Sequence, residues 1–318
     1  MVALRIGLTG VVTLLVPAVV WAHGVDAAGS DPRVFSLWDQ ATIAGLLVLG
    51  ALYWSGTRKL RARRAAQPRL EHAAFAAGWL ALIAAVLPWF DAAALRLFSA
   101  HMAQHELMML VGAPLIVAGR PLATCLWALP GRWRRRVALP LQTRQASGVV
   151  RTMTAPIVAW TVHGLVVWIW HAPGLYQLAV ASESVHLLQH SMFVGSSVLF
   201  WWGLIYGRYG RAGYGAAVLY VFTTAVHTGI LGALLTFATS PLYAVYATPG
   251  HPDPLGDQQA AGLLMWVPAG LLLTLIGIGF FAAWLGEAER RAHAQRRQKR
   301  TLVRAKPQGR IQETLTLS

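Results

Sequence analysis

The chain carries a succession of apolar stretches long enough to cross a bilayer, and very few architectures tolerate that. About 20 helical residues at ~1.5 Å rise span the hydrocarbon layer. Such stretches run approximately over Leu37 to Trp54, Ala73 to Phe90, His101 to Ala118, Ala155 to Trp170, Val185 to Ile205, Ala216 to Phe237 and Ala260 to Leu285. In hydrocarbon a segment must satisfy its own backbone hydrogen bonds, so these stretches predict an all-α polytopic bundle with seven transmembrane helices. The composition agrees: 56% of residues are hydrophobic, 12% are charged, and the mean hydropathy is +0.50, far from the balance of soluble domains.

An earlier apolar run reads differently. Arg5 supplies a basic n-region, Ile6 to Val19 an h-region and Val20-Trp21-Ala22 a cleavage site, so residues 1–22 are expected to be a signal peptide. Left uncleaved, the run would be an eighth, anchoring helix. Residues 23–36 then form an outer N-terminal segment, 37–285 the membrane domain and 286–318 a basic cytoplasmic tail. Charge orients the bundle. Arg58-Lys59-Leu-Arg61-Ala-Arg63-Arg64, Arg132-Trp-Arg134-Arg135-Arg136, Arg208 with Arg211, and the tail from Arg290 to Arg310 all fall on one side. By the positive-inside tendency that side is cytoplasmic, with the N-terminus outside, which predicts a multi-pass protein of the plasma (inner) membrane. The net charge of +15 is accounted for by this topology. The basic residues are spread over loops and a tail rather than gathered on a folded domain, so no nucleic-acid partner is expected. The tail is expected to lie on anionic lipid headgroups.

Within this frame two short motifs of one form stand out, His101-Met-Ala-Gln-His105 and His186-Leu-Leu-Gln-His190. Residues four apart share a helix face, so each pair aims two imidazoles in one direction. With 11 His in 318 residues, chance supplies such a spacing only roughly 0.4 times. The topology puts His101 and His105 at the outer end of the third helix, His171 at the outer end of the fourth, and His186 with His190 at the outer start of the fifth. Histidines at helix ends also serve as interfacial polar groups, and the sequence does not say whether the third helix packs beside the fourth and fifth.

Imidazole suits zinc, copper, iron and nickel, whereas thioether selects Cu(I). Met108 and Met109 follow the first pair on the same helix, and Met265 stands near the outer start of the seventh, although methionine also packs cores. Cys125 is the one cysteine and lies on the cytoplasmic side, so the outer site has no thiolate. His/Met ligation holds Cu(I) in an oxidising compartment where thiols would be lost. Asp39, Glu106, Glu183, Asp253 and Asp257 fall on the outer side too, and Glu106, one turn into an apolar helix, is costly unless it faces protein or water. The metal candidates are therefore His101, His105, His171, His186, His190, Met109, Met265, Asp257 and Glu106.

Other chemistries find less support. His105-Glu106-Leu-Met-Met109 starts like a zinc-protease helix, but Met109 stands where the second histidine is needed. No phosphate-binding loop or nucleophile elbow occurs, so no enzymatic activity is expected. A haem-binding electron carrier needs axial ligands from opposite sides, which one His-x-x-x-His pair cannot give. A di-metal oxidase would need more carboxylates. The Trp168–Trp170 and Trp201–Trp202 pieces read as interfacial anchors. The proline-bracketed run from Gly119 to Gly131 reads as an interfacial or re-entrant piece.

The motifs together resemble the CtaG family of cytochrome c oxidase assembly factors, the polytopic kind rather than the single-span cysteine-motif copper chaperone that shares the name. The resemblance is carried by His101-Met-Ala-Gln-His105 with Ala113-Pro114-Leu115 and Gly119-Arg-Pro121, by Trp170-His171-Ala-Pro173-x-x-Tyr176, and by His186-Leu-Leu-Gln-His190 with Phe200-Trp201-Trp202. It is carried also by Pro241-Leu-Tyr243 and Asp257-Gln258-Gln-Ala-Gly262-Leu-Leu-Met265-Trp266. It extends from about Leu37 to Leu285. It implies a membrane protein that partners cytochrome c oxidase subunits and acts in copper supply, with His101, His105, His171, His186, His190, Asp257 and Met265 in matching motifs. Cleavage after Ala22 would also expose His23, whose amine and imidazole could chelate Cu(II).

Overall fold

A computed structural model describes residues 36–63, 67–141, 143–207, 213–248 and 251–305. The signal peptide, His23 and the outer N-terminal segment up to residue 35 lie outside the described residues, as do Arg64, Arg208, Arg211 and the tail beyond residue 305. The described residues are helical with no strand, in keeping with the all-α expectation.

The helices are α1 (Leu37–Ala62), α2 (Arg69–Ala85), α3 (Pro88–Ala94), α4 (Phe98–Glu106), α5 (Ala113–Ala118), α6 (Pro121–Ala128), α7 (Gly131–Leu141), α8 (Arg144–Met153), α9 (Pro156–Trp170), α10 (Pro173–Ala181), α11 (Glu183–Tyr206), α12 (Gly213–Thr236) and α13 (Pro254–Ala305). A π-helical segment, Leu107–Gly112, joins α4 to α5 in one continuous rod. Local signals set many of the starts. Ser36 and Asp39 form a capping box on α1, which satisfies two otherwise orphaned amides. Proline occupies the first position of α3, α6, α9, α10 and α13, where its missing N–H costs nothing.

Two helices, Gly213–Thr236 and the span from Pro254, are long and apolar enough to cross a membrane. The count reaches five if three bent pairs are each one span: α2 with α3 (55°), the α4–α5 rod with α6 (60°) and α8 with α9 (62°). Two more were expected at α1 and α11, which have 26 and 24 residues. They are long enough but mix polar residues into their apolar runs, His186, Gln189 and His190 among them in α11. The run from Gly119 forms α6, and Arg120 takes a left-handed φ of 50° at the bend. Its guanidinium reaches Tyr206 Oη at 3.2 Å and Glu71 at 3.5 Å.

Packing shows how the rods are arranged. One buried cluster joins Phe98, Met102, Trp170, Tyr176, Phe193, Leu235 and Ala261. A second joins Ala113, Val117, Phe200, Leu204, Ala217, Val221 and Leu273. The chain meets the first cluster and then the second along α4–α5, α11 and α13, and meets them in reverse order along α12, so successive rods alternate in direction. Large apolar side chains such as Leu47, Leu165, Phe222, Leu271 and Ile278 point outward, the surface a lipid solvent would cover. Trp170 and Trp201, expected as interfacial anchors, are buried instead. Trp201 Nε1 donates to the Met109 carbonyl at 2.8 Å, because a buried indole N–H needs an acceptor. On the far end from the first cluster, Arg134 stacks 4.1 Å over Trp127.

Small residues let backbones approach where apolar attraction between helices is absent. A Cβ at Gly262 would lie 2.7 Å from the Gly232 carbonyl, joining α12 to α13. One at Gly56 would run into the Thr124 carbonyl, joining α1 to α6. Gly56→Val is therefore expected to lower stability by about 1–3 kcal/mol through overpacking, read as a lower thermal midpoint in detergent. Gly45→Val, whose Cβ would meet nothing within 4 Å, should leave the midpoint in place, and equal effects of the two would contradict this packing.

Candidate metal centre

The first-cluster end of the bundle brings both His-x-x-x-His pairs together. His101 and His105 stand on α4, one turn apart; His186 and His190 stand on α11, likewise one turn apart. The ring centroids of His101 and His186 are 5.2 Å apart, as are those of His105 and His190, and His186 lies 4.0 Å from His190. The ligating atoms of His101, His186 and His190 all lie within 4.8 Å of one another. His101 Nε2 and His105 Nε2 are 3.1 Å apart. Two nitrogens bound ~2.0 Å from one tetrahedral ion would be about 3.3 Å apart. The packing of the third predicted span against the fifth, which the sequence left open, is thus a feature of the fold.

A hydrogen-bond network sets the tautomer of His101. Tyr246 Oη donates to the Ala94 carbonyl at 2.8 Å, and a carbonyl can only accept. That uses the one phenolic hydrogen. The phenol oxygen must then accept from His101 Nδ1–H, 3.0 Å away, and from Tyr176 Oη–H at 3.3 Å. With its proton on Nδ1, His101 keeps its lone pair on Nε2, which faces His105 Nε2 at 3.1 Å and can accept from it. His171 is prepared in the same way. Its Nδ1 donates to the Val167 carbonyl at 2.6 Å, leaving Nε2 buried and unpartnered. Tyr243 Oη donates to the His171 carbonyl at 2.8 Å and fixes its backbone. Holding a ligand imidazole by its far nitrogen is a common way to fix its orientation and raise its basicity. Burial pushes the phenols of Tyr243 and Tyr246 above their ordinary value, so both remain hydrogen donors.

Burial is graded across the cluster: His101 is 1% exposed, His105 3% and His190 9%, while His186 is half-buried. His186 is the most exposed ring of the four, with its Nε2 turned inward and buried. His105 Nδ1, His186 Nε2 and His190 Nε2 have no hydrogen-bond partner, which is costly for buried polar atoms unless a ligand supplies one.

The remaining candidates separate into two groups. His105, Glu106, Met109, His171 and Met265 line one cavity of about 50 Å³ immediately inward of the histidine cluster, together with Met102 and His163. The two neighbouring methionines part, as consecutive residues on a helix do. Met109 faces this cavity, while Met108 packs on the opposite side with Tyr53, Phe75 and Leu82. Asp257 stands elsewhere. Its carboxylate accepts from the amides of Phe98 (2.6 Å) and Ser99 (3.2 Å), and from the Ser99 hydroxyl, with His251 Nε2 3.6 Å away. It therefore caps the N-terminus of α4 from α13, where a negative charge is favoured. Asp39 caps α1, Asp253 accepts from the Gly256 amide, and Glu183 is exposed. The residues that sequence reasoning missed are Tyr246 and the supporting roles of Tyr176 and Tyr243. The Pro241-Leu-Tyr243-Ala-Val-Tyr246 run carried the signal, two phenols three residues apart in the loop between α12 and α13.

The fold and this site define a helical membrane protein that gathers imidazoles from separate helices at one end of its bundle. Comparison with protein families identifies which: the chain matches the family described as cytochrome c oxidase caa3 assembly factor (Caa3_CtaG) over residues 51–287 and belongs to it. No curated protein and no solved structure matches the chain.

Because Asp257 satisfies the first amides of the helix that carries His101, Asp257→Ala should lower stability by about 1–3 kcal/mol, seen as a lower thermal midpoint in detergent. Asp257→Asn, which keeps an acceptor oxygen, should fall between wild type and Ala. An unchanged midpoint in Asp257→Ala would remove the capping role.

Proposed function

We propose that the protein holds Cu(I) between α4 and α11 on the outer membrane face and delivers it to a subunit of cytochrome c oxidase. The observation that carries this reading is the convergence of His101, His105, His186 and His190, with the far nitrogen of His101 held by Tyr246 and a buried nitrogen of each of the other three left without a partner. Cu(I) accepts two to four soft or imidazole donors without strict geometry, so ligands that can be exchanged one at a time suit release as well as capture. The graded burial, with His186 outermost, gives the ion an order of contact. In this role the chain is a carrier and catalyses no reaction, in keeping with an assembly-factor family.

The reading includes a topology. Seven spans would be α1, α2–α3, the α4–α5 rod, α9, α11, α12 and α13, after a signal peptide at residues 1–22. The alternation of rod directions supports this, as does the basic character of α7 and of α13 beyond Arg290, which would lie at anionic headgroups of the cytoplasmic leaflet. Such a protein sits in the plasma membrane as a multi-pass protein, with its donor site at the depth of a membrane-buried acceptor. The haem-carrier reading is disfavoured by space, since a cavity of about 50 Å³ beside the histidines admits an ion and a few waters but no macrocycle.

In cells, His101→Ala and His186→Ala are each expected to lower oxidase activity roughly tenfold or more while the protein stays at normal abundance in the membrane fraction. Full oxidase activity in both variants would contradict copper delivery through this cluster. For the purified protein, Tyr246→Phe removes the acceptor of His101 Nδ1–H and should weaken Cu(I) affinity roughly 10–100-fold, measured by competition with a chromophoric chelator. Unchanged affinity would mean that the tautomer of His101 does not matter.

A further inference from the structure

Glu106 presents a problem that the histidine cluster does not solve. Its Oε2 is buried without a hydrogen-bond partner, in a cavity whose lining includes no Lys or Arg. A carboxylate in such a place is costly unless it takes up a proton or a cation joins it. The same cavity is lined by Met102, Met109 and Met265, three thioethers from two helices, and by two imidazoles whose buried nitrogens lack partners, His105 through Nδ1 and His171 through Nε2. Thioether sulphur is a poor ligand for zinc and a good one for Cu(I). The donor set therefore selects a soft ion, and the single carboxylate matches a single positive charge.

His105 lies between the two places. Its Nε2 is 3.1 Å from His101 Nε2, while its Nδ1, on the other edge of the ring, belongs to a side chain that lines the cavity. We propose that the cavity is a second Cu(I) station, separate from the outer histidine cluster, in which Met109, Met265, His171 and Glu106 take the ion from the outer site by way of His105. This rests on the proposed copper role of the outer cluster and adds to it a direction: entry at His186, passage across His105, and residence in a drier, sulphur-bearing site. A thioether site deeper in the bundle keeps the ion from water and from oxidation, which an all-imidazole cluster at the rim does less well.

The test uses the purified full chain in detergent under anaerobic conditions, titrated with Cu(I) against a chelator and examined by X-ray absorption at the copper edge. Two stations predict about two equivalents of Cu(I) in the wild type, with sulphur as well as nitrogen scatterers. Met109→Leu with Met265→Leu, nearly volume-conserving changes, should reduce the stoichiometry by about one equivalent and abolish the sulphur signal, while the nitrogen-only ion remains. Glu106→Gln should weaken the same equivalent and spare the other. One equivalent with nitrogen scatterers alone, unaffected by the methionine variant, would overturn the second station and leave the outer site standing. Absence of any tight Cu(I) binding would overturn both. The wild-type sulphur signal is read independently of how any variant folds.

Discussion

Buried imidazole nitrogens need partners, and that requirement governs how this end of the bundle is built. Four rings from two helices pack together, edge to face at 4.5–6.2 Å between centroids except for the tilted His186–His190 pair at 4.0 Å. Apolar packing alone would have no use for them, because each leaves a polar atom to be satisfied. The surrounding structure satisfies some of these atoms and leaves others bare. Tyr246 accepts from Nδ1–H of His101 and the Val167 carbonyl from that of His171, while His105 Nδ1, His171 Nε2, His186 Nε2 and His190 Nε2 remain without partners. The division is the one expected of ligands held from behind.

The supporting parts come from across the chain. Asp257 on α13 caps α4 and fixes the height of His101; Gln104 on α4 donates to the Ala85 carbonyl and to Asp91, tying the same helix to the α2–α3 corner. Phe98, Tyr176, Tyr243 and Tyr246 form an aromatic wall behind His101. Within the π segment Met109 faces the cavity and Met108 the α1–α2 core. Inserted turns of this kind occur often at functional sites, where they re-aim side chains at the cost of a regular helix. The helix that carries the first histidine pair is thus held at its start, its flank and its middle by three different neighbours.

Much of this was legible from residue patterns, and what was not shares one physical cause. Periodicity and apolar length located the helices, and the i, i+4 spacing placed each histidine pair on one face, since both depend on neighbours along the chain. The meeting of α4 with α11 depends on contacts between segments some 85 positions apart, which no local pattern encodes. Asp257 looked like a ligand because it is an acid in a matching motif; its part as a cap on a distant helix shows only once α13 lies beside α4. Trp170 and Trp201 looked like interfacial anchors because they stand near helix ends, but both are buried and each finds an acceptor on a neighbouring helix, Met192 Sδ and the Met109 carbonyl. Short α10, in the stretch between the fourth and fifth expected spans, carries Tyr176 into the wall behind His101.

The central claim is that side chains from two helices make one copper site. Its most direct test is the Cu(I) affinity of the purified protein set against that of a combined His101→Ala, His186→Ala and His190→Ala variant that retains its helical content. The account predicts that the nitrogen-only binding step of the wild type is lost in the variant, its affinity falling by a factor of roughly 100 or more. Equal affinity in the two proteins would contradict it and return these histidines to packing between helices.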